Sequence, residues 1–172
     1  MRGIYIKELL WMIVLTILCI ACFPVNPLAL TGLVNPGFYF PSFVLGWIVW
    51  AAGMVLVMAP IVMFPRRGGV PKSKSFVHTT QLVDGGIYSI VRHHQYLGGI
   101  LAIPVATPLL YPHWIYVVLG VPGIVILYLS TREEEKRLIE QFGGDYHSYM
   151  RKVPRMNIIR GAIRLWRQRK ER

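Results

Sequence analysis

HHQYLGGILAIPVATPLLYPHWIYVVLGVPGIVILYLST, residues 93–131, is a run of 39 residues without an Asp, Glu, Lys or Arg. A helix crossing about 30 Å of hydrocarbon needs roughly 20 apolar residues, so the run is long enough for two passes. Tyr111-Pro112-His113, a turn-forming cluster, divides it. Spans are expected near 95–111 and 114–130. A longer uncharged run, 9–65, holds 57 residues and is broken at Pro24-Val25-Asn26-Pro27 and Asn35-Pro36-Gly37, which gives spans near 9–23 and 41–64. The reading is an all-α integral membrane protein with about four transmembrane helices in two helical hairpins, followed by a cytoplasmic C-terminal amphipathic helical region.

The composition agrees. Of 172 residues 54% are hydrophobic and only 16% charged, which excludes a disordered tail protein and an ordinary cytosolic enzyme. Two cysteines, Cys19 and Cys22, both inside the first expected span, exclude a disulfide scaffold and read as small apolar positions.

All 19 Lys and Arg fall before the first span, between the second and third, or after the fourth. By the positive-inside rule both termini and the central loop are expected in the cytoplasm, making a multi-pass protein. The alternative, a signal peptide over residues 1–23 with Arg2 and Lys7 in its n-region, would put the basic loop and the basic tail on opposite sides, which the charge distribution opposes. The net charge of +11 is therefore a topology and lipid-headgroup signal, and no nucleic-acid partner is expected. The chain divides as one membrane domain into a hairpin (1–65), a cytoplasmic loop (66–94), a second hairpin (95–130) and a helical tail (131–172).

Chemistry in so small a membrane protein is expected where polar residues gather at a membrane edge. Topology places two such segments on one face. The first, 79–99, carries Arg92, His93 and Tyr96 within about one helical turn, so a cation, an imidazole and a phenol can share a cleft. Interfacial anchoring explains the same residues equally well. Gly98 and Gly99 allow a ligand or a neighbouring helix to approach the backbone. The second segment holds Glu133, Glu134 and Glu135 where the fourth span ends; Glu134 and Leu138 share one helix stripe, while Glu133 and Arg137 are spaced as a solvated ion pair. Five histidines, with His113 on the opposite side, fall short of the repeated short spacings of a membrane di-iron site, and no metal is expected.

Pro104 and Pro108, and Pro122 between Gly120 and Gly123, remove helix hydrogen bonds within the membrane, as occurs beside cavities. Beyond Pro154, Ile158, Ile159, Ala162, Ile163 and Trp166 recur at helical spacing, with Arg160, Arg164 and Arg167 on another stripe. This is the pattern of an interfacial helix whose partners are anionic lipid headgroups.

Read together, Leu82-Val83, Gly86-Ile87-Tyr88, Arg92-His93-His94-Gln95-Tyr96-Leu97-Gly98, Glu133-Glu134 with Leu138, Phe142-Gly143, Tyr146-His147-Ser148-Tyr149 and Val153-Pro154-Arg155 resemble the isoprenylcysteine carboxyl methyltransferase and phospholipid N-methyltransferase superfamily of membrane enzymes. The resemblance spans roughly 80–155. It implies a methyltransferase that takes S-adenosylmethionine as cofactor and a lipophilic methyl acceptor, either isoprenylcysteine carboxylate-like or phospholipid amine-like. By resemblance, Leu82, Val83, Tyr88, His93, Tyr96, Gly98, Glu133 and Glu134 bind the cofactor, Arg92 and His93 are catalytic, and the tail completes the cofactor pocket. Two positions depart from the pattern: His94 replaces the proline that usually follows the motif histidine, and Thr80 stands where prenylcysteine-methylating members often carry a histidine. Competing readings are a nicotinamide-dependent protein like the sterol reductases and a non-catalytic lipid-binding scaffold.

Overall fold

The computed structural model describes residues 31–32, 37–67 and 80–171. The expected first span, 9–23, lies outside these residues, as do residues 68–79 of the central loop. Every regular element among the described residues is helical. Helix α1 spans Phe40–Arg67. The segment expected as the third span follows the loop as three joined pieces: α2 (His94–Ile100), a π-helical turn (Leu101–Val105) and α3 (Ala106–Leu110). Helix α4 runs Trp114–Phe142, α5 Gly144–Lys152 and α6 Ile158–Lys170.

Helices α1 and α4 are long and apolar enough to cross a bilayer, through Phe40–Pro60 and Trp114–Phe142. Only 11% of the apolar window of each is buried inside the protein. The core helix of a soluble protein would be mostly buried, whereas here Leu45, Ile48 and Val55 on α1 and Val117, Val121 and Ile126 on α4 are exposed. That outward apolar surface is what lipid covers, so this is a membrane protein. On α4 the uncharged stretch ends at Thr131, so by the cost of charge in hydrocarbon Arg132 onward belongs outside the lipid core.

The expected third span is helical but irregular. Pro104 has no N–H and interrupts the ladder, and the chain accommodates it with the π-turn. Thr107 Oγ1 donates to Ile103 O at 2.7 Å beside it. This run packs against both α1 and α4. Its approach to α1 is backbone on backbone: a Cβ on Gly98 would lie 2.5 Å from Gly53 O, and one on Gly53 would lie 2.7 Å from Gly98 O. Small residues allow such contacts, where packing rather than hydrophobicity drives association in lipid. Gly98 therefore presents this face to a neighbouring helix rather than to a ligand.

His94 has a structural reason. Pro60 cannot donate to the carbonyl four residues earlier, Leu56 O, and His94 Nδ1 lies 3.0 Å from that oxygen. The imidazole is almost fully buried, so Nδ1 carries the proton and supplies the bond that the proline removed. Gln95 Nε2 donates to the next carbonyl, Val57 O, at 3.3 Å.

Beyond the membrane, Gly143 adopts φ +54, a left-handed conformation open to glycine, and turns the chain from α4 into α5. Tyr146, Tyr149 and Val153 then form a second small core with Leu82, Leu138, Ile139, Phe142 and Met150. Asn157 caps α6, its Oδ1 accepting from Arg160 N at 2.8 Å. Gly161 lets α6 press against Ile90 O, and Arg164 donates to Ser89 O and, at 2.8 Å, to Lys152 O.

Replacing His94 by Phe is expected to destabilise the protein by about 2 kcal/mol, the cost of a buried carbonyl left without a donor. In a Pro60→Ala background, where the backbone can supply the bond, that cost should shrink. Thermal melting of the four detergent-purified proteins measures it, and an equal loss in both backgrounds would show that the imidazole does not serve the proline.

Candidate active site

Three segments converge where α4 leaves the bilayer. The first is 86–93, whose 3-10 turn Gly86–Ser89 follows Gly86 at φ +64. The second is the Arg132–Leu138 turn of α4. The third is the link 153–157. The first and third pair through their backbones: Arg92 N donates to Pro154 O at 3.1 Å and His93 N to Arg155 O at 3.0 Å. Two successive bonds fix the direction in which Arg92, His93 and Arg155 project.

All three side chains reach Glu135. Its Oε1 lies 3.1 Å from Arg92 Nη1 and 3.1 Å from His93 Nε2, and it accepts from Arg155 Nε at 3.0 Å; Oε2 accepts from Arg155 Nη2 at 2.5 Å. The Arg155 fork is a bidentate carboxylate grip. Arg155 also donates through Nη1 to Tyr128 OH at 3.3 Å and stacks over the Tyr128 ring. The Glu135 side chain is 8% exposed and that of Arg92 9%, so each depends on the other's charge.

Glu134 lies one position away on the helix and faces a different neighbour. Its Oε2 is 3.5 Å from His93 Nδ1, within ion-pair distance but not aligned as a hydrogen bond, and this buried oxygen has no hydrogen-bond partner among the described residues. His93 thus stands between two carboxylates, with its ring edge-on to Tyr96 at 5.8 Å. Burial by itself raises the Glu134 carboxyl, but the proximity of His93, then of Tyr96 and Arg137, outweighs it and holds the group below the usual carboxylate range. Burial opposes ionisation of Glu135 too, and Arg155, Arg92 and His93 together bring it below that range. Glu135 in turn raises Arg155.

The other expected site residues divide into two groups. Leu82 packs on the tyrosine core and Val83 is buried beside it, while Tyr88 has its ring 4.4 Å from that of His94 and accepts from Tyr149 OH through its carbonyl at 2.7 Å. These build the wall behind His93. Burial raises Tyr88 and Tyr149 well above an ordinary phenol and pushes Tyr146 up to about 12, so all three stay protonated near neutrality. Glu133 does not join the site. Its side chain is 70% exposed and pairs with Lys136 at 2.8 Å. Sequence reasoning missed Glu135 and Arg155, which hold the arrangement together: Glu135 lies on the inward stripe of α4 with Thr131, Ile139 and Phe142, but Glu134 and Leu138 make an equally regular stripe, and only the fold separates the two.

A family profile described as phospholipid methyltransferase matches residues 41–145. A methanethiol S-methyltransferase of Pseudomonas deceptionensis is 27% identical over 112 residues, which cover 62% of this chain and 41% of that protein. The chain therefore spans well under half the length of this relative. No solved structure matches.

Both site carboxyls bind protons less readily in the folded protein than in the unfolded chain. Stability is therefore complete above the ordinary carboxylate pKa and falls as pH drops through the folded-state values. Glu135→Gln is expected to cost about 3 kcal/mol near neutrality, because Arg92 and Arg155 lose their counter-charge, and to flatten the acid dependence. Glu133→Gln should do neither. Thermal unfolding in detergent at pH 7 and pH 4 checks both, and an undiminished acid dependence in Glu135→Gln would contradict the pairing.

Proposed function

The chain belongs to the phospholipid methyltransferase family, and from that premise we propose that it transfers a methyl group from S-adenosylmethionine to a lipophilic acceptor at the cytoplasmic face of a membrane. The observation that carries the reading is the buried Glu134 oxygen without a hydrogen-bond partner, flanked by His93 and Tyr96 at the end of a membrane-crossing helix. His93 and Tyr96 offset part of the cost of an ionised carboxylate in this part-buried position, and the bare Oε2 leaves room for a further donor. The ribose hydroxyls and the ammonium group of the cofactor are such donors, so the donor set fits. The residues that would hold the cofactor are Glu134, His93 and Tyr96, with Leu82, Val83 and Tyr88 as the wall.

When bound, S-adenosylmethionine supplies a methyl group on a positively charged sulfur. The protein's own contribution is then alignment and exclusion of water. Glu135 performs the alignment, fixing His93 from one side while Arg92 and Arg155 fix Glu135. Both His93 nitrogens face carboxylates, so the ring acts as a bridge between Glu135 and the cofactor side rather than as a free base. A carboxylate or thiolate acceptor needs no base, whereas an amine must first lose a proton. Isoprenylcysteine carboxylate-like and phospholipid amine-like acceptors both remain consistent with the family, and the name of the Pseudomonas relative adds small thiols as a third nucleophile class. Lateral entry of a lipophilic acceptor is consistent with the irregular 94–110 run, whose π-turn packs between α1 and α4. The charge pattern supports a cytoplasmic position for both termini, on the side where a water-soluble cofactor is available.

Calorimetric titration of the detergent-purified chain with S-adenosylhomocysteine is expected to show saturable binding. Glu134→Gln should weaken it by about tenfold or more, the worth of a charge-assisted bond, and Glu133→Gln should leave it unchanged. Equal binding by Glu134→Gln and the wild type would remove Glu134 from the site.

A further inference from the structure

A cavity of about 580 Å³, lined by neither Glu134 nor Glu135, lies between Tyr128 of α4, the 150–157 link formed by the end of α5 and the residues after it, and the first turns of α6. Six of its lining residues are cationic: Arg92, Arg151, Lys152, Arg155, Arg160 and Arg164. None of its lining residues is acidic. The nearest carboxylate is Glu135, which already serves Arg92, Arg155 and His93. Several guanidinium groups around one space repel each other, and such an arrangement is stable where an anion occupies it.

The donors are partly idle. Arg92, with a side chain nine-tenths buried, has no hydrogen-bond acceptor at Nε among the described residues; its Nη1 is within ion-pair distance of Glu135 but not aligned with it. Arg164 Nε is also buried without an acceptor, although its terminal nitrogens hold Ser89 O and Lys152 O. Buried N–H groups without acceptors cost free energy that an oxyanion would recover.

We propose that this cavity is a phosphate-binding site, separate from the cofactor position and independent of which acceptor is methylated. Planar guanidinium forks suit a tetrahedral oxyanion carrying one to two charges, and the volume exceeds what a single carboxylate needs. The location favours the phosphate of an anionic lipid headgroup. Tyr128, one turn before α4 leaves the hydrocarbon, lines the cavity, and α6 turns the apolar side chains of Ile159, Ile163 and Trp166 outward beside it. A headgroup held there ties α6 and the 150–157 link to the segment that orients Arg92 and His93.

The test uses the full chain in a non-ionic detergent. Native mass spectrometry compares adducts of phosphatidic acid with those of diacylglycerol carrying the same acyl chains. Calorimetry compares inorganic phosphate with chloride at equal ionic strength. Lys152→Gln/Arg160→Gln removes two exposed cations that hold neither Glu135 nor His93, and a wild-type melting temperature shows it is folded; single Arg160→Gln substitutes should the double variant melt early. Retention of phosphatidic acid over diacylglycerol, weakened about tenfold in the variant, supports the site with a lipid as the source. Phosphate binding weakened likewise supports it with a soluble source. Absence of both, or binding undiminished in the variant, overturns it. Binding of S-adenosylhomocysteine, followed in parallel, is expected to be equal in wild type and variant, so failure of the cofactor reading is recognised separately.

Discussion

One carboxylate holds the cytoplasmic end of this protein together. Glu135 accepts from Arg155, pairs with Arg92 and meets His93, and these residues arrive from two segments some sixty positions apart. Because the group is buried, removing it would leave two guanidinium charges without compensation, a larger cost than any exposed ion pair on the same helix. The backbone bonds between 92–93 and 154–155 bring the partners into line, and the charge interaction makes that pairing selective. Everything assigned to chemistry, including the position of His93 against Glu134, depends on this junction.

The membrane part supplies the platform. Its helices approach so closely that Gly53 and Gly98 meet without side chains between them, and a histidine restores a hydrogen bond that Pro60 forfeits. Water can satisfy a broken helix ladder in a soluble protein. In hydrocarbon another side chain can do so, which accounts for an imidazole at position 94, where the pattern that this chain resembles has proline. Its local turn is set by that bond to α1. The irregular 94–110 run and the long α4 then bring the two polar segments together.

Much of this was legible beforehand, for physical reasons. Long uncharged runs identify bilayer helices because charge in hydrocarbon is so costly, and α1 and α4 lie where the runs place them. The polar segments were legible as places where polar residues gather at one membrane edge, but interfacial anchoring explained Arg92, His93 and Tyr96 equally well, and it is the contacts of His93 with Glu134 and Glu135 that separate the two readings. Sequence could not choose among three successive glutamates. Glu133 to Glu135 turn through some 200° of helix, and which of them faces inward depends on contacts made by Thr131, Ile139 and Phe142 with elements distant in the chain. Arg155 was visible within Val153-Pro154-Arg155, yet its role required the fold that returns it to α4. Gly98 allowed a ligand or a helix to approach, and α1 takes the place.

The account places cofactor binding on the Glu134 side of His93 and makes the surrounding segments answer to it. Hydrogen–deuterium exchange of the detergent-purified chain, with and without saturating S-adenosylhomocysteine, tests this most directly. Slowed exchange is predicted in 86–97, at 131–138 and through the coupled 153–157 link, with the exposed end of α6 unaffected. Binding accompanied by protection elsewhere, with these three segments unchanged, would contradict the assignment of the site.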